Sequence, residues 1–445
     1  MFKSSVTTRF VVIGLLCLFL MVPMLFVAGL VEERQGYHAQ VVHDIASGWG
    51  HSQTIAGPFL VVPETYPVAE KSKDHILTRR ERRVRIYLPD ELEIAGEVRH
   101  EMRSRAIYEV PVYSAGLDLV GRFDLDEVRG NHGKDVKKLL GEARLVIGIS
   151  DTTGIQLLEV GGHSVSDTVS VSFNGGTGLS WLGSGVQARL EDLSNLDEYR
   201  FNLELKLNGT DALRLTPVGA TSSFKIQSSW PHPSFSGRYL PTSSKVSDDG
   251  FEAEWQVHEL ARNLPSQWIS ASPSNPYLNG MLNLAEVSLF QPITSYTVVD
   301  RGIKYAFIFI GLTFLAYLCF EMRVGFKFHY VQFGVVGGAL VMFYLTLLSL
   351  SEHIPFGLAY VLATMVLSGL VAWYTWLVTK EHRDGVLGGV IGGLLLGLYA
   401  GLYVLLMLED FALLVGTAIL LAGLGALMYA TKDLRFLAPA NAAKE

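Results

Sequence analysis

Six stretches of this chain are long, apolar and free of Asp, Glu, Lys, Arg and His: residues 10–30, 305–320, 331–350, 356–378, 386–408 and 411–430. Backbone amides in lipid must find their partners within their own segment, so each stretch reads as a spanning helix. At about 1.5 Å per residue these runs come close to or exceed the ~30 Å hydrocarbon layer. Ile303 and Lys304 lengthen the second, giving a span over 303–321. Between the first span and the second lies a large insert, residues 31–302, which is charged, alternating and strand-like.

Flanking charge orients such a chain, because short loops rich in Lys and Arg stay on the cytoplasmic side. With the N-terminus (1–9) inside, the cytoplasmic pieces hold Lys3, Arg9, Arg323, Lys327, Lys380, Arg383, Lys432, Arg435 and Lys444, the last three in a 431–445 tail. The two outer hairpins, 351–355 and 409–410, hold no base. Both chain ends are therefore expected in the cytoplasm and residues 31–302 outside it. The first apolar run exceeds a signal-peptide core and no A-x-A site follows, so it is expected to persist as an anchor.

With those nine bases and the eight acids outside the insert set aside, the insert and its exit segment carry 27 bases and 35 acids, about −8. That balance disfavours both nucleic acid and an anionic lipid surface as partners of the insert as a whole. A local basic run, Arg79, Arg80, Arg82, Arg83 and Arg85, reads as the solvated face of a strand or as an anion or headgroup contact. Cys17 and Cys319 both lie in spans, so no disulfide staples the insert.

After the first span, Val31, Val41, Val42 and Ile45 recur at a spacing that continues the helix over 31–48, until Gly48 and Gly50. The period then becomes two. Phe201, Leu203, Leu205 and Leu207 alternate with polar residues, as do Phe251, Ala253, Trp255 and Val257, and Val84, Ile86 and Leu88. Asn208-Gly209 predicts a hairpin turn with its return strand at Leu213 and Leu215. Further strands are expected near 107–113, 117–123, 145–149, 155–160, 169–173, 224–228 and 285–290, with helical pieces only at 136–140 and near 190–195. Pro89, Pro111, Pro217 and Pro292 should mark strand starts, edges or bulges. The expected fold is a membrane protein of mixed α+β type. Six transmembrane helices carry an all-β, sandwich-like periplasmic domain between helix 1 and helix 2.

Several ordered motifs carry a resemblance. Gly57-Pro58-Phe59-Leu60-Val61-Val62-Pro63, Ile107-Tyr108-Glu109-Val110-Pro111-Val112-Tyr113 and Ser229-Trp230-Pro231-His232-Pro233-Ser234-Phe235, with Gly237, Leu240 and Pro241 behind it, resemble signatures of the CreD family. Asp300, Arg301, Lys304, Tyr305, Tyr344 and Leu350-Ser351-Glu352-His353 are similar to that family in the membrane half. The likeness runs to about Leu437. It implies placement in the inner membrane of Gram-negative bacteria, association with a two-component envelope-stress regulon, and roles in envelope integrity, colicin tolerance and β-lactam response. It implies no established reaction and no catalytic residue.

The residues themselves offer no G-x-S-x-G, H-E-x-x-H, P-loop or paired C-x-x-C. The outer histidines are scattered singly in sequence, so no metal and no cofactor is expected. Trp230, His232 and Phe235 form a candidate interaction surface, since flanking prolines could display the rings for a glycan or peptide; the alternative is that Trp230 and Phe235 plug the sandwich. Ser351, Glu352 and His353 form a candidate contact at the membrane interface, with capping of the fourth span and contact with the outer domain as competing roles. In the fifth span Gly388, Gly389, Gly392, Gly393, Gly397 and Gly401 make one face nearly bare backbone, for packing within the bundle or for self-association.

Three functions are compatible with these features. One is a non-enzymatic envelope protein, anchored in the bilayer, whose β domain binds a periplasmic protein or cell-wall glycan. Another is a periplasmic glycan- or lipid-processing enzyme. The third is a transporter or channel, which the charge-free spans disfavour.

Overall fold

The computed structural model describes residues 6–71, 76–130, 135–160, 173–270, 283–289, 295–324, 327–380, 386–408 and 411–431. Its helices are α1 (Val6–Trp49), the short α2 (Leu125–Arg129) and α3 (Glu259–Arg262), then α4 (Ser295–Val324), α5 (Tyr330–Ser351), α6 (Phe356–Thr379), α7 (Val386–Met407) and α8 (Ala412–Thr431). The strands are β1 (Gln53–Lys71), β2 (Ile76–Tyr87), β3 (Glu91–Arg105), β4 (Tyr108–Asp124), β5 (Lys137–Lys138), β6 (Arg144–Ile149), β7 (Ile155–Val160), β8 (Phe173–Gly175), β9 (Gly185–Arg189), β10 (Glu198–Thr210), β11 (Ala212–Leu215), β12 (Thr221–Ser228), β13 (Pro233–Gly237), β14 (Ser243–Ser247), β15 (Gly250–His258), β16 (Gln267–Ser270) and β17 (Ala285–Leu289). The chain divides into two compact units, Met1–Ala39 with Ile293–Glu445, and Gln40–Pro292.

The first unit is helical. Five described helices are long and apolar enough to cross a membrane, falling within α1, α4, α5, α6 and α7. The sixth expected span lies on α8, a 20-residue helix that carries the shorter apolar stretch Leu414–Gly425. One strong polar tie joins the helix ends. Arg9 bonds Glu321 at 2.9 Å and the Phe328 carbonyl at 2.7 Å, while the Phe328 amide donates to Glu321 at 2.6 Å. Residues of α1, of α4 and of the turn before α5 thus share one carboxylate.

The second unit is the expected β sandwich. One sheet has ten strands, with the path β13-β17-β11-β1-β6-β9-β8 and with β2, β16 and β5 attached beside β1. The other has seven, in the order β14-β15-β12-β3-β4-β10-β7. Their facing side chains, including Leu60, Val62, Leu145, Ile94, Leu119, Leu203, Phe224 and Trp255, form a single apolar cluster. The alternation seen in β10 and β15 is what puts one face of each strand into that cluster.

Three expectations are corrected. Asn208-Gly209 makes no hairpin: β10 runs through both residues in register with Tyr113 and Ser114 of β4. The chain turns at Asp211, in the left-handed region at φ 64°, and β11 crosses to the other sheet to pair with β1 and β17. Gly209 is required for another reason, since a Cβ there would collide with the Tyr113 phenol. Residues 136–140 are not helical but include the short β5, which adds to β1, and 190–195 holds only a single 3-10 turn. The two strands expected over 107–123 are one, β4, which carries Pro111 within it. Most of the strand expected at 169–173, and Pro292, lie outside the described residues.

The Arg79–Arg85 run divides between two faces. Glu64, on β1, is fully buried and lies directly opposite Arg83 on one side and Lys138 on the other. Arg83 bonds its carboxylate, and Arg85 binds it at 3.1 and 3.2 Å. Burial alone would raise the Glu64 carboxyl, but the bonds and charges of Arg85 and Arg83 outweigh it and hold the group below the usual carboxylate range. Burial, then the Arg85 charge, brings the neighbouring Lys138 ammonium down to about 8.

Two outcomes are expected in denaturation of the detergent-solubilised chain. Glu64→Gln strands two arginines and should cost about 3–5 kcal/mol. Because the folded-state value is depressed, this stabilisation is present above the unfolded carboxyl value of about 4.3 and fades as pH falls through the folded value, so the variant should lose that acid dependence. Trp255, 2% exposed with its Nε1 donating to the Tyr239 carbonyl at 3.1 Å, should cost about 3–5 kcal/mol when changed to Ala. An unchanged melt in either case would contradict the packing described.

Candidate functional site

Alternation in the seven-stranded sheet sends Leu92, Ile94 and Val98 of β3 inward and leaves Ala95, Glu97 and Arg99 on the opposite face. Register then assembles rows across strands. Lys206, Gly116, Glu97 and Gln227 form one row, Glu204, Asp118, Ala95 and Lys225 a second, and Asn208, Ser114 and Arg99 a third. Each row has a small residue at its middle, namely Gly116, Ala95 and Ser114. The result is a depression of about 670 Å³ whose floor is nearly bare backbone and whose rim is polar, with Trp49 at one end. A second depression of about 570 Å³ shares Glu97 and Gln227 with it and continues toward Ser229, Lys245, Asp249 and Glu252. Together they make one groove across the strands.

The charges around this groove are already matched. Arg99 makes two bonds to Glu97, at 2.9 and 2.8 Å, and these hold Glu97 below the usual carboxylate range. Lys206 meets Glu204 at 2.7 Å, which raises the lysine, and Lys225 lies between Glu252 and Glu254 at 2.9 and 3.3 Å. Asp118 and Glu204 face each other across β4 and β10, the nearest thing here to a carboxylate pair, but Lys206 engages Glu204. Such a surface offers donors and acceptors rather than an acid and a base. Trp49 is held rigidly, its Nε1 donating to the Tyr113 carbonyl at 3.2 Å and the Arg103 guanidinium lying 3.7 Å from its ring centre.

The structure distributes the residues singled out from sequence. Trp230 is buried, donates from Nε1 to the His232 carbonyl at 2.9 Å and meets the His100 ring edge-on at 5.2 Å. Phe235 is half-buried against Phe251 and Trp255. Of that trio only His232 is exposed, while the preceding Ser229, bonded to His100 at 2.8 Å, borders the groove. Both aromatic rings take the plugging alternative: Trp230 lies in the apolar cluster of the sandwich and Phe235 packs against it.

Ser351, Glu352 and His353 follow α5. Ser351 donates to the Leu348 carbonyl, and α6 begins at Pro355 without a side-chain cap, so capping of that helix is corrected. Glu352 instead reaches Arg34 of α1 at 3.5 Å and the Tyr296 hydroxyl at 3.4 Å. The glycines of α7 lie on two faces. A Cβ on Gly388 would sit 2.7 Å from the Ala372 carbonyl oxygen and 2.8 Å from the Trp376 Cβ, and one on Gly392 2.9 Å from the Ala372 Cβ. Gly389, Gly393 and Gly397 meet nothing within 4 Å, and Gly401 only Ile419 at 3.6 Å.

Two clusters escaped sequence reading because their members are distant in the chain. One is the Glu64 centre. The other joins His51 to Asp151 through Nδ1 at 2.7 Å, with the His43 ring 5.5 Å away. Burial opposes ionisation of Asp151, yet bonds from His51 and Thr153 prevail and keep it at about 2. Among the described residues, no group of three or more His, Cys, Asp or Glu side chains is arranged to hold a metal.

The two glycine faces predict opposite behaviour. Gly388→Leu should lower the yield and monodispersity of the purified chain, since α6 cannot retreat without opening the bundle, whereas Gly393→Ala should leave both unchanged. Size-exclusion chromatography of the two variants checks this, and equal behaviour would contradict the α6–α7 contact.

A family model described as inner membrane protein CreD matches residues 5–437. Inner membrane protein CreD of Escherichia coli (strain K12) is 31% identical over 424 residues, covering 95% of this chain and 91% of that protein. With its apolar spanning helices and its β-rich unit, the chain belongs to the CreD family, as a multi-pass protein of the inner membrane.

Proposed function

We propose that this is a non-catalytic envelope protein that holds a β sandwich on the periplasmic side and uses the groove of the seven-stranded sheet to bind an extended polar polymer, a cell-wall glycan strand. In this reading both chain ends are cytoplasmic, as the distribution of Lys and Arg argues. The observation that carries it is the row of small residues, Ser114, Gly116 and Ala95, along a sheet face otherwise covered by long paired side chains. A polymer lying there would exchange hydrogen bonds with Gln156, Gln227, Asn208 and the paired charges, and would meet Trp49 at one end. Matched charges suit a ligand of mixed polarity better than a strong polyanion. A periplasmic protein segment is the competing occupant.

Gly116 supplies the test. A Cβ there meets nothing within 4 Å, so Gly116→Leu should fold normally and fill the groove. Retention of the detergent-solubilised chain on purified cell-wall sacculi should fall about tenfold or more, equivalent to about 1.4 kcal/mol or more. Equal retention by the variant overturns the glycan reading, and release of soluble glycan by the wild-type chain overturns the non-catalytic one and would make it an enzyme. A photo-crosslinking residue at Gln227 that traps one defined protein would favour the competing occupant.

A further inference from the structure

The basic run that sequence analysis singled out is only half explained by Glu64. In a sheet, residues directly opposite on neighbouring strands share a face, and so do residues two apart on one strand. On β1, Phe59, Val61, Pro63, Thr65 and Pro67 therefore share one face. Arg80 lies opposite Pro67, Arg82 and Lys137 flank Thr65 from either side, Arg144 lies opposite Val61, and Arg189 lies opposite Arg144. Five bases from β2, β5, β6 and β9 thus occupy one face of the ten-stranded sheet. Of these bases Arg80, Arg82, Lys137 and Arg189 are exposed and Arg144 is half-buried, while Phe59 and Val61 on the same face are fully buried; Lys138, Arg83 and Arg85 lie on the Glu64 face and are partly buried.

Among the described residues, one carboxylate is bonded into this patch, Glu142 on Arg82. Arg144 is otherwise met by the neutral Gln187 amide at 2.6 Å and Arg189 by the Gly141 carbonyl at 3.3 Å. Burial lowers Arg144, and the nearby Arg82 charge adds to the effect. A concentration of bases on an insert that is about −8 overall is a local inversion of sign. Four of the five are arginines, whose planar forks match phosphate oxygens. The half-buried Trp181 packs on the same face against Phe59 at 5.8 Å, adding an aromatic of the kind found at bilayer interfaces.

We infer that this face of the ten-stranded sheet is an electrostatic docking surface for the phosphate headgroups of anionic phospholipid. Lipid is favoured over a soluble polyanion because the patch is spread over four strands rather than enclosed, and because headgroups are the phosphates most concentrated around a membrane protein. The inference rests on the sheet opposite the groove and does not depend on what the groove binds.

The test uses the full chain in nanodiscs of phosphatidylcholine, mixed with vesicles of phosphatidylcholine alone or with phosphatidylglycerol, and read by co-flotation. The wild-type chain should float with the phosphatidylglycerol vesicles only, and less so as salt rises. Arg80→Gln with Lys137→Gln, both exposed positions, should reduce that binding about 30-fold while leaving the melt unchanged. Arg200→Gln with Lys225→Gln removes the same charge from the other sheet and should leave binding intact. Equal flotation with neutral vesicles, no flotation with either, or equal loss in the control pair would overturn the inference. Binding of soluble polyphosphate without binding of vesicles would overturn the lipid assignment.

Discussion

Everything in this chain follows from the requirement that backbone polar groups find partners in two different solvents. In lipid helices and closed barrels meet it, and the long apolar runs form helices. In water the same requirement is met by ladders, whose buried faces then need one another, and the two sheets close over a single core. Charges enter that interior only where they are answered. Glu64 meets two arginines, and Arg262, 2% exposed, is received by the carbonyls of Val218 and Leu264. Removing either answer would leave a group whose desolvation nothing repays.

Small side chains do more to shape the surface than large ones. On the seven-stranded sheet, long charged residues cover the face wherever they occur, and a groove exists only where Ala95, Ser114 and Gly116 interrupt them. On the other sheet five bases from four strands gather around buried Phe59 and Val61 and give one face a positive margin. The two faces of one sandwich thus differ in both relief and sign, and this suits them to chemically different contacts.

How much of this was legible depended on whether a feature is local. Spans, the helical continuation of α1 and the alternating strands of β10 and β15 depend on neighbours in the chain and were readable. Asn208-Gly209 misled because its glycine answers a contact made by Tyr113, 96 residues earlier in the chain, rather than a local turn. The groove was invisible for the same reason: its three small residues belong to two strands, and only register brings them together. Trp230 and Phe235 were legible as important aromatics, with display and burial both open, because proline-rich flanks look alike whether they display a ring or bury it. The pairing of Glu352 with Arg34 lay beyond sequence reading, since the two are separated by most of the chain.

α1 serves two masters. Its early turns are membrane-spanning, yet the residues from Gln40 onward belong to the β unit: Trp49 donates to β4 and stacks with Arg103, and Asp44 holds Arg105 at 2.8 Å. A fragment trimmed to begin at the first strand would therefore lose one wall of the groove along with two arginine anchors. Excision upstream of Gln40 keeps that terminal helical segment as an integral piece of the folded fragment.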